Sequence, residues 1–115
     1  MKHLACYFLL LGLAACADYT GPDGARIYGP QVGPGASGSG LNYVLTYTIA
    51  DFKPHYPGSR EYLRHLAWEA VENNWYSGEY MVVFLDKTSS KQLLTERYSA
   101  QPDILFNVIH FIEER

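Results

Sequence analysis

The chain has 115 residues, is 48% hydrophobic and 15% aromatic, and carries a net charge of −3 at pH 7. That length allows one small domain, whose core is marginal unless it is densely packed or supported from outside. The acidic balance argues against nucleic acid or an anionic lipid surface as the partner, because either calls for a basic patch.

In chain order, the first segment is an address. Lys2 supplies a short positive start, and residues 4–13 are apolar apart from Gly12. Such a run falls short of the roughly 20 apolar residues that cross a bilayer, and it has the length of the hydrophobic stretch of a secretory signal. It ends in Leu13-Ala14-Ala15-Cys16. This motif resembles the lipobox of bacterial lipoprotein signal peptides. The resemblance covers the first 16 residues and implies that residues 1–15 are removed, that the Cys16 thiol receives a diacylglyceryl group, and that the mature chain starts there. In the Gram-negative members an Asp directly after the modified Cys favours the inner membrane. Here that position is Ala17, with Asp18 one later, so the resemblance implies the outer membrane, on its periplasmic side. Several acyl chains hold stably where one holds only reversibly. Cys6 has no apolar run before it and would be lost with the signal, so the mature chain has no second cysteine and no internal disulfide.

Residues 16–40 carry few core-forming side chains: Ile27 and Val32 are the branched aliphatics, Tyr19 and Tyr28 the aromatics. Gly and Pro interrupt every periodicity. The composition predicts a disordered tether, with a typical end-to-end distance of roughly 25–30 Å.

Residues 41–115 are expected to form the domain. Over residues 41–52, Leu41, Tyr43, Leu45, Tyr47 and Ile49 alternate with Asn42, Val44, Thr46, Thr48 and Ala50, the period of a half-buried strand. Pro54 and Tyr56-Pro57-Gly58 stop it. A helix is expected from Ser59, with Glu61 in its first turn and an apolar stripe of Leu63, Leu66, Ala67, Ala70 and Val71, ending by Asn73-Asn74. Residues 79–86 are apolar on both faces, as in a central strand. Residues 87–100 are polar, with room for a short helix near Leu93 and Leu94. Residues 104–112 suit a strand by their β-branched and aromatic content, although Ile104, Leu105, Val108, Phe111 and Ile112 also share a helical face. The expected fold is α+β: a small sheet of about three strands in β-α-β-β order, with one amphipathic helix on one face, after the disordered tether. One sheet face is then left for residues 87–100, a second copy or another protein to cover.

Trp68 lies roughly 130° from the centre of the helix stripe at about 100° per residue, next to Arg64. With Trp75 and Tyr76 it is the candidate partner-binding set, since Trp and Tyr dominate interface energetics. The competing reading is an amphipathic ring lying half-buried on the helix. His65 and Glu69, four apart on the helix with Glu61 one turn earlier, have the spacing of two metal ligands, but no third ligand stands at a telling distance and i,i+4 pairing accounts for them. No metal or cofactor is expected, and no catalytic residue: His55 and His110 stand beside no nucleophile motif. Ser39-Gly40-Leu41-Asn42-Tyr43 is similar to the S-G-x-x-Y part of the signature of membrane-bound C-type lysozyme inhibitors, small lipoproteins in which the serine enters the lysozyme cleft from a β-barrel. The chain departs from that family in its central helix and in having no cysteine pair. The leading expectation is a lipid-anchored, non-catalytic protein. It is held to the membrane by acyl chains on Cys16, and its domain binds another protein or a second copy. Inhibition of a lysozyme-type hydrolase and a metal-dependent enzyme are the alternatives.

Overall fold

The computed structural model describes residues 16–74, 76–102 and 107–112. The signal segment and Trp75 lie outside the described residues, as do residues 104–106 of the last expected element. The chain forms β1 (Tyr19–Thr20), β2 (Arg26–Pro34), β3 (Tyr43–Ala50), α1 (Ser59–Asn74), β4 (Gly78–Asp86), β5 (Gln92–Pro102) and β6 (Asn107–Ile112). The strands lie in sequence order in one sheet. Neighbours are antiparallel except β3 and β4, which run parallel because α1 carries the chain back between them. Among the described residues the result is a mixed sheet curled into a half-barrel with one helix, extended at one edge by the two residues of β1.

This overturns the three-strand β-α-β-β expectation in two places. Residues 87–100 do not fold back as a short helix. A turn at residues 87–89 leads into β5, and the Asp86 carboxylate shapes that turn by accepting the N–H groups of Thr88 and Ser89. Leu94 and Tyr98 then fall opposite Phe84 and Tyr80 across the ladder, so the segment adds a strand to the sheet and covers neither face. The second correction concerns the Gly/Pro tract. Residues expected to be a disordered tether supply β1 and β2. Ile27 and Ala25 are fully buried, and Ile27 stands opposite Ile49.

Gly and Pro in this tract mark strand irregularities and an edge. The β2–β3 register shifts between Tyr28 and Gln31. Gly29 there has φ +123°, and a Cβ would stand 2.9 Å from the Thr46 carbonyl oxygen, so only glycine lets the bulged backbone lie this close to β3. Pro30 and Pro34 occupy an edge strand, where a missing donor is tolerated.

Alternation along the strands divides the sheet into two faces. Leu45, Tyr47, Ile49, Tyr80, Val82, Phe84 and Tyr98 are buried against Leu63, Leu66, Ala67 and Val71 of α1. Tyr47 and Phe84, opposite each other in the parallel ladder, stack with centroids 4.8 Å apart. On the other face Val44, Thr46, Met81, Val83 and Leu85 are half-buried. The turn before β2 is tied to the segment between β3 and α1 by Asp23, whose carboxylate accepts the backbone N–H of Ala25 at 3.1 Å and of Lys53 at 2.8 Å.

Candidate functional site

The register places aromatic residues in one row across the sheet. Tyr43, Tyr80 and Tyr98 are successive partners on β3, β4 and β5, and Phe111 holds the next register position on β6. Tyr43 and Tyr80 approach with centroids 4.9 Å apart. The chain leaving α1 closes the row at one end: Tyr76 stacks on Tyr43 at 5.9 Å and 24° and stays 62% exposed. At the helix side Trp68 meets the Tyr98 ring edge-on at 6.0 Å and is 37% exposed. The row is braced by hydroxyls. Tyr80 donates to the Tyr76 carbonyl at 2.5 Å and accepts from the Asn74 amide at 2.9 Å. Tyr98 reaches the Arg64 carbonyl at 3.5 Å.

The sequence-predicted set is therefore divided. Trp68 and Arg64 sit together over β5, where the Arg64 guanidinium stands 3.6 Å from the buried Glu96 carboxylate. Trp68 is an exposed ring that meets Tyr98 edge-on. Tyr76 belongs to the other end of the row, on Tyr43. Trp75 is outside the described residues. The strand period marked Tyr43 alone, and nothing in the local sequence joined it to Tyr80 and Tyr98. Only the register shows that they share a line and that its ends reach the surface.

Burial sets the proton chemistry of the row. Loss of water pushes the hydroxyls of Tyr80 and Tyr98 above their ordinary range, with the Glu96 carboxylate adding to the shift at Tyr98. Tyr47 and Tyr62 are raised in the same way. All four are shifted away from ionisation, and Tyr47, Tyr80 and Tyr98 serve as hydrogen-bond donors to backbone carbonyls.

A second feature is a cleft between α1 and the β2–β3 edge, of about 200 Å³, with Tyr19, Leu45, Tyr47, Glu69, Ala70 and Asn73 among its walls. Small-molecule sites run from about 300 Å³ upward, so this cleft suits a single inserted side chain better than a cofactor. Glu69 at its wall faces His65, Nε2 to Oε2 3.2 Å. The pair satisfies itself, and among the described residues no three His, Cys, Asp or Glu side chains are grouped to hold a metal ion.

Sequence reasoning also missed a polar row on the opposite face. Ser99 is buried and donates to Glu79 Oε2 at 2.5 Å, and His110 occupies the β6 position opposite Ser99. A nucleophilic serine needs a neutral base of suitable pKa on its hydroxyl, itself oriented by an acid. Here the carboxylate is on the serine, the reverse of that order. Ser39 is occupied within its own turn: its hydroxyl donates to the Ala36 carbonyl at 2.6 Å and accepts the Leu41 N–H at 3.2 Å.

No family model, curated protein or solved structure matches the chain.

Proposed function

We propose that this chain is a non-catalytic, lipid-anchored bacterial envelope protein, acylated at Cys16 and held at the outer membrane facing the periplasm. Its domain binds another protein through the exposed aromatic ends of the row, Tyr76 at one end and Trp68 at the other. The observation that carries the binding reading is Tyr76. It is a large aromatic side chain, 62% exposed, yet held in place by stacking on Tyr43, which is itself braced on Tyr80. A ring already ordered in the free protein loses little side-chain entropy on docking, which is why Tyr and Trp serve as interface anchors. The lipobox motif at Leu13-Ala14-Ala15-Cys16 supports the anchoring.

Crosslinking in intact bacterial cells tests the reading. The lipidated protein is isolated and its attached proteins are identified by mass spectrometry, for the wild type and for Tyr76→Ala and Trp68→Ala. A discrete partner that disappears with Tyr76→Ala is expected. Crosslinks to its own copies alone would show that the aromatic surface serves a homo-oligomer.

A further inference from the structure

Acylation of Cys16, the reading on which this inference rests, constrains where the domain sits relative to the membrane. The Gly/Pro tract is folded, and β1 begins at Tyr19. Cys16 is separated from it only by Ala17 and Asp18, a reach of at most about 11 Å at full extension. Even this short piece is held. The Asp18 N–H donates to the Ile27 carbonyl at 2.9 Å, and the Asp18 carboxylate accepts the Gly29 N–H at 2.8 Å. Since β1 and β2 are antiparallel, the chain running back from Tyr19 to Cys16 travels along β2 toward Pro30. An acyl group on Cys16 therefore emerges beside the outer edge of β2.

That edge has the surface a bilayer accepts. Beyond Ile27, β2 has β3 on one side and no strand on the other among the described residues. Val32 there is 55% exposed. No charged residue stands between Arg26 and Asp51, a stretch that contains β2 beyond Arg26 and the exposed turn from Ala36 to Gly40, and the Asp18 carboxylate beside its first half is held on the Gly29 N–H. The protein carries a net charge of −3, and residues 27–50 add none of that charge to be repelled by anionic headgroups. The acyl chains provide the affinity, and the far half of the edge, from Gln31 through the turn, needs only to approach the headgroups without desolvating a charge of its own.

We propose that the outer edge of β2, with Val32 and the turn after it, lies against the lipid headgroups. The domain is thus seated on the membrane and not suspended from it. The aromatic surface is then presented at a fixed height and orientation, to a partner that is itself at the membrane.

The test uses the lipidated protein reconstituted in vesicles of phosphatidylethanolamine and phosphatidylglycerol. Cys16 carries its thiol in the lipid linkage, so an introduced cysteine is the single thiol open to a fluorophore. Val32→Cys and Ser37→Cys report on the edge, and Lys91→Cys, in the turn before β5, is the control. Headgroup-labelled nitroxide lipid should quench the probes at 32 and 37 several-fold more than the probe at 91. A flexible Gly/Ser insertion between Ala17 and Asp18 should bring all three to the same level. Equal quenching without the insertion, in protein that carries the acyl groups, would overturn the seating and leave the lipoprotein reading standing. Protein that takes up no labelled palmitate and does not remain with membranes would overturn both.

Discussion

The carboxylate of Asp23 accepts the backbone N–H of Lys53 at 2.8 Å, across thirty positions of sequence. That bond joins the turn between β1 and β2 to the segment that enters α1. Burial pushes the Asp23 carboxyl up, but the hydrogen bonds from Lys53 and Ala25 outweigh it and hold the group below its ordinary range. A carboxyl lowered in the fold stabilises it above the unfolded pKa, near pH 4, and this contribution is lost as pH falls through the lowered value. Asp23→Ala should cost about 1–3 kcal/mol at neutral pH. Asp23→Asn should flatten the fall of the urea midpoint between about pH 5 and pH 2. Parallel profiles for wild type and Asp23→Asn would mean that another carboxylate governs acid unfolding.

The alkaline limb should be governed by tyrosines. Desolvation raises Tyr47 and Tyr98 well above the usual phenol range. A raised pKa in the fold stabilises it below the unfolded value, near pH 10, and that stability fades as pH climbs further. Spectrophotometric titration should show the buried tyrosines, Tyr47 and Tyr98, ionising only together with loss of near-ultraviolet dichroism. A single smooth titration of all tyrosines in the folded protein would contradict this.

Two glycines of β2 should respond differently to the same change. Gly29 has φ +123° and would place a Cβ 2.9 Å from the Thr46 carbonyl oxygen, while at Gly33 an added Cβ meets nothing within 4 Å. Gly29→Ala should destabilise by about 1–3 kcal/mol, and Gly33→Ala should shift stability by no more than about 0.5 kcal/mol. Denaturant midpoints decide. Indifference to both substitutions would show that β2 does not contribute to the cooperative unit.

Phe84 is fully buried and stacked on Tyr47 at the parallel β3–β4 junction. Phe84→Ala should cost about 3–5 kcal/mol, much of the stability a domain of this size has. Thermal unfolding followed by circular dichroism should show a markedly lowered or absent transition, and a midpoint close to wild type would place the core elsewhere.

The two ends of the aromatic row should separate stability from binding. Trp68→Ala removes an edge-on contact with Tyr98, a kind of pair contributing about 0.5–1.5 kcal/mol beyond its buried area, so it should lower the midpoint. Tyr76→Ala removes a mostly exposed ring and should leave stability within about 0.5 kcal/mol of wild type while abolishing the partner crosslink. A stability loss at Tyr76 larger than at Trp68 would contradict the greater exposure of Tyr76.

Local pattern was enough to locate the elements whose periodicity is strong. The alternation around Tyr43 to Ile49 marks β3, the stripe from Leu63 to Val71 marks α1, and the doubly apolar run Tyr80 to Leu85 marks β4. Each of these segments declares by its own spacing which face it buries. Asp23 and Ser99 carried no such signal, since their partners, Lys53 and Glu79, are remote in sequence and polar residues show no buried period.

Composition misled where pairing outweighed propensity. The tract around Gly29 and Pro30 reads as coil because neither residue favours a strand. It folds because Ile27 finds Ile49 across the ladder, and because glycine and proline are tolerated at a bulge and an edge. In the same way Leu93 and Leu94 look like a fragment of helix until Phe84 and its neighbours on β4 offer β5 a ladder to join. The lipobox-like motif, the helix and the central strands were legible from contiguous residues, because each depends on local spacing alone. How far the sheet extends, that Tyr43, Tyr80 and Tyr98 form one line, and how near Cys16 lies to the folded domain emerged only with the pairing of strands. Those features depend on which strand lies beside which, and strand neighbours are chosen by cross-strand packing between residues far apart in the chain.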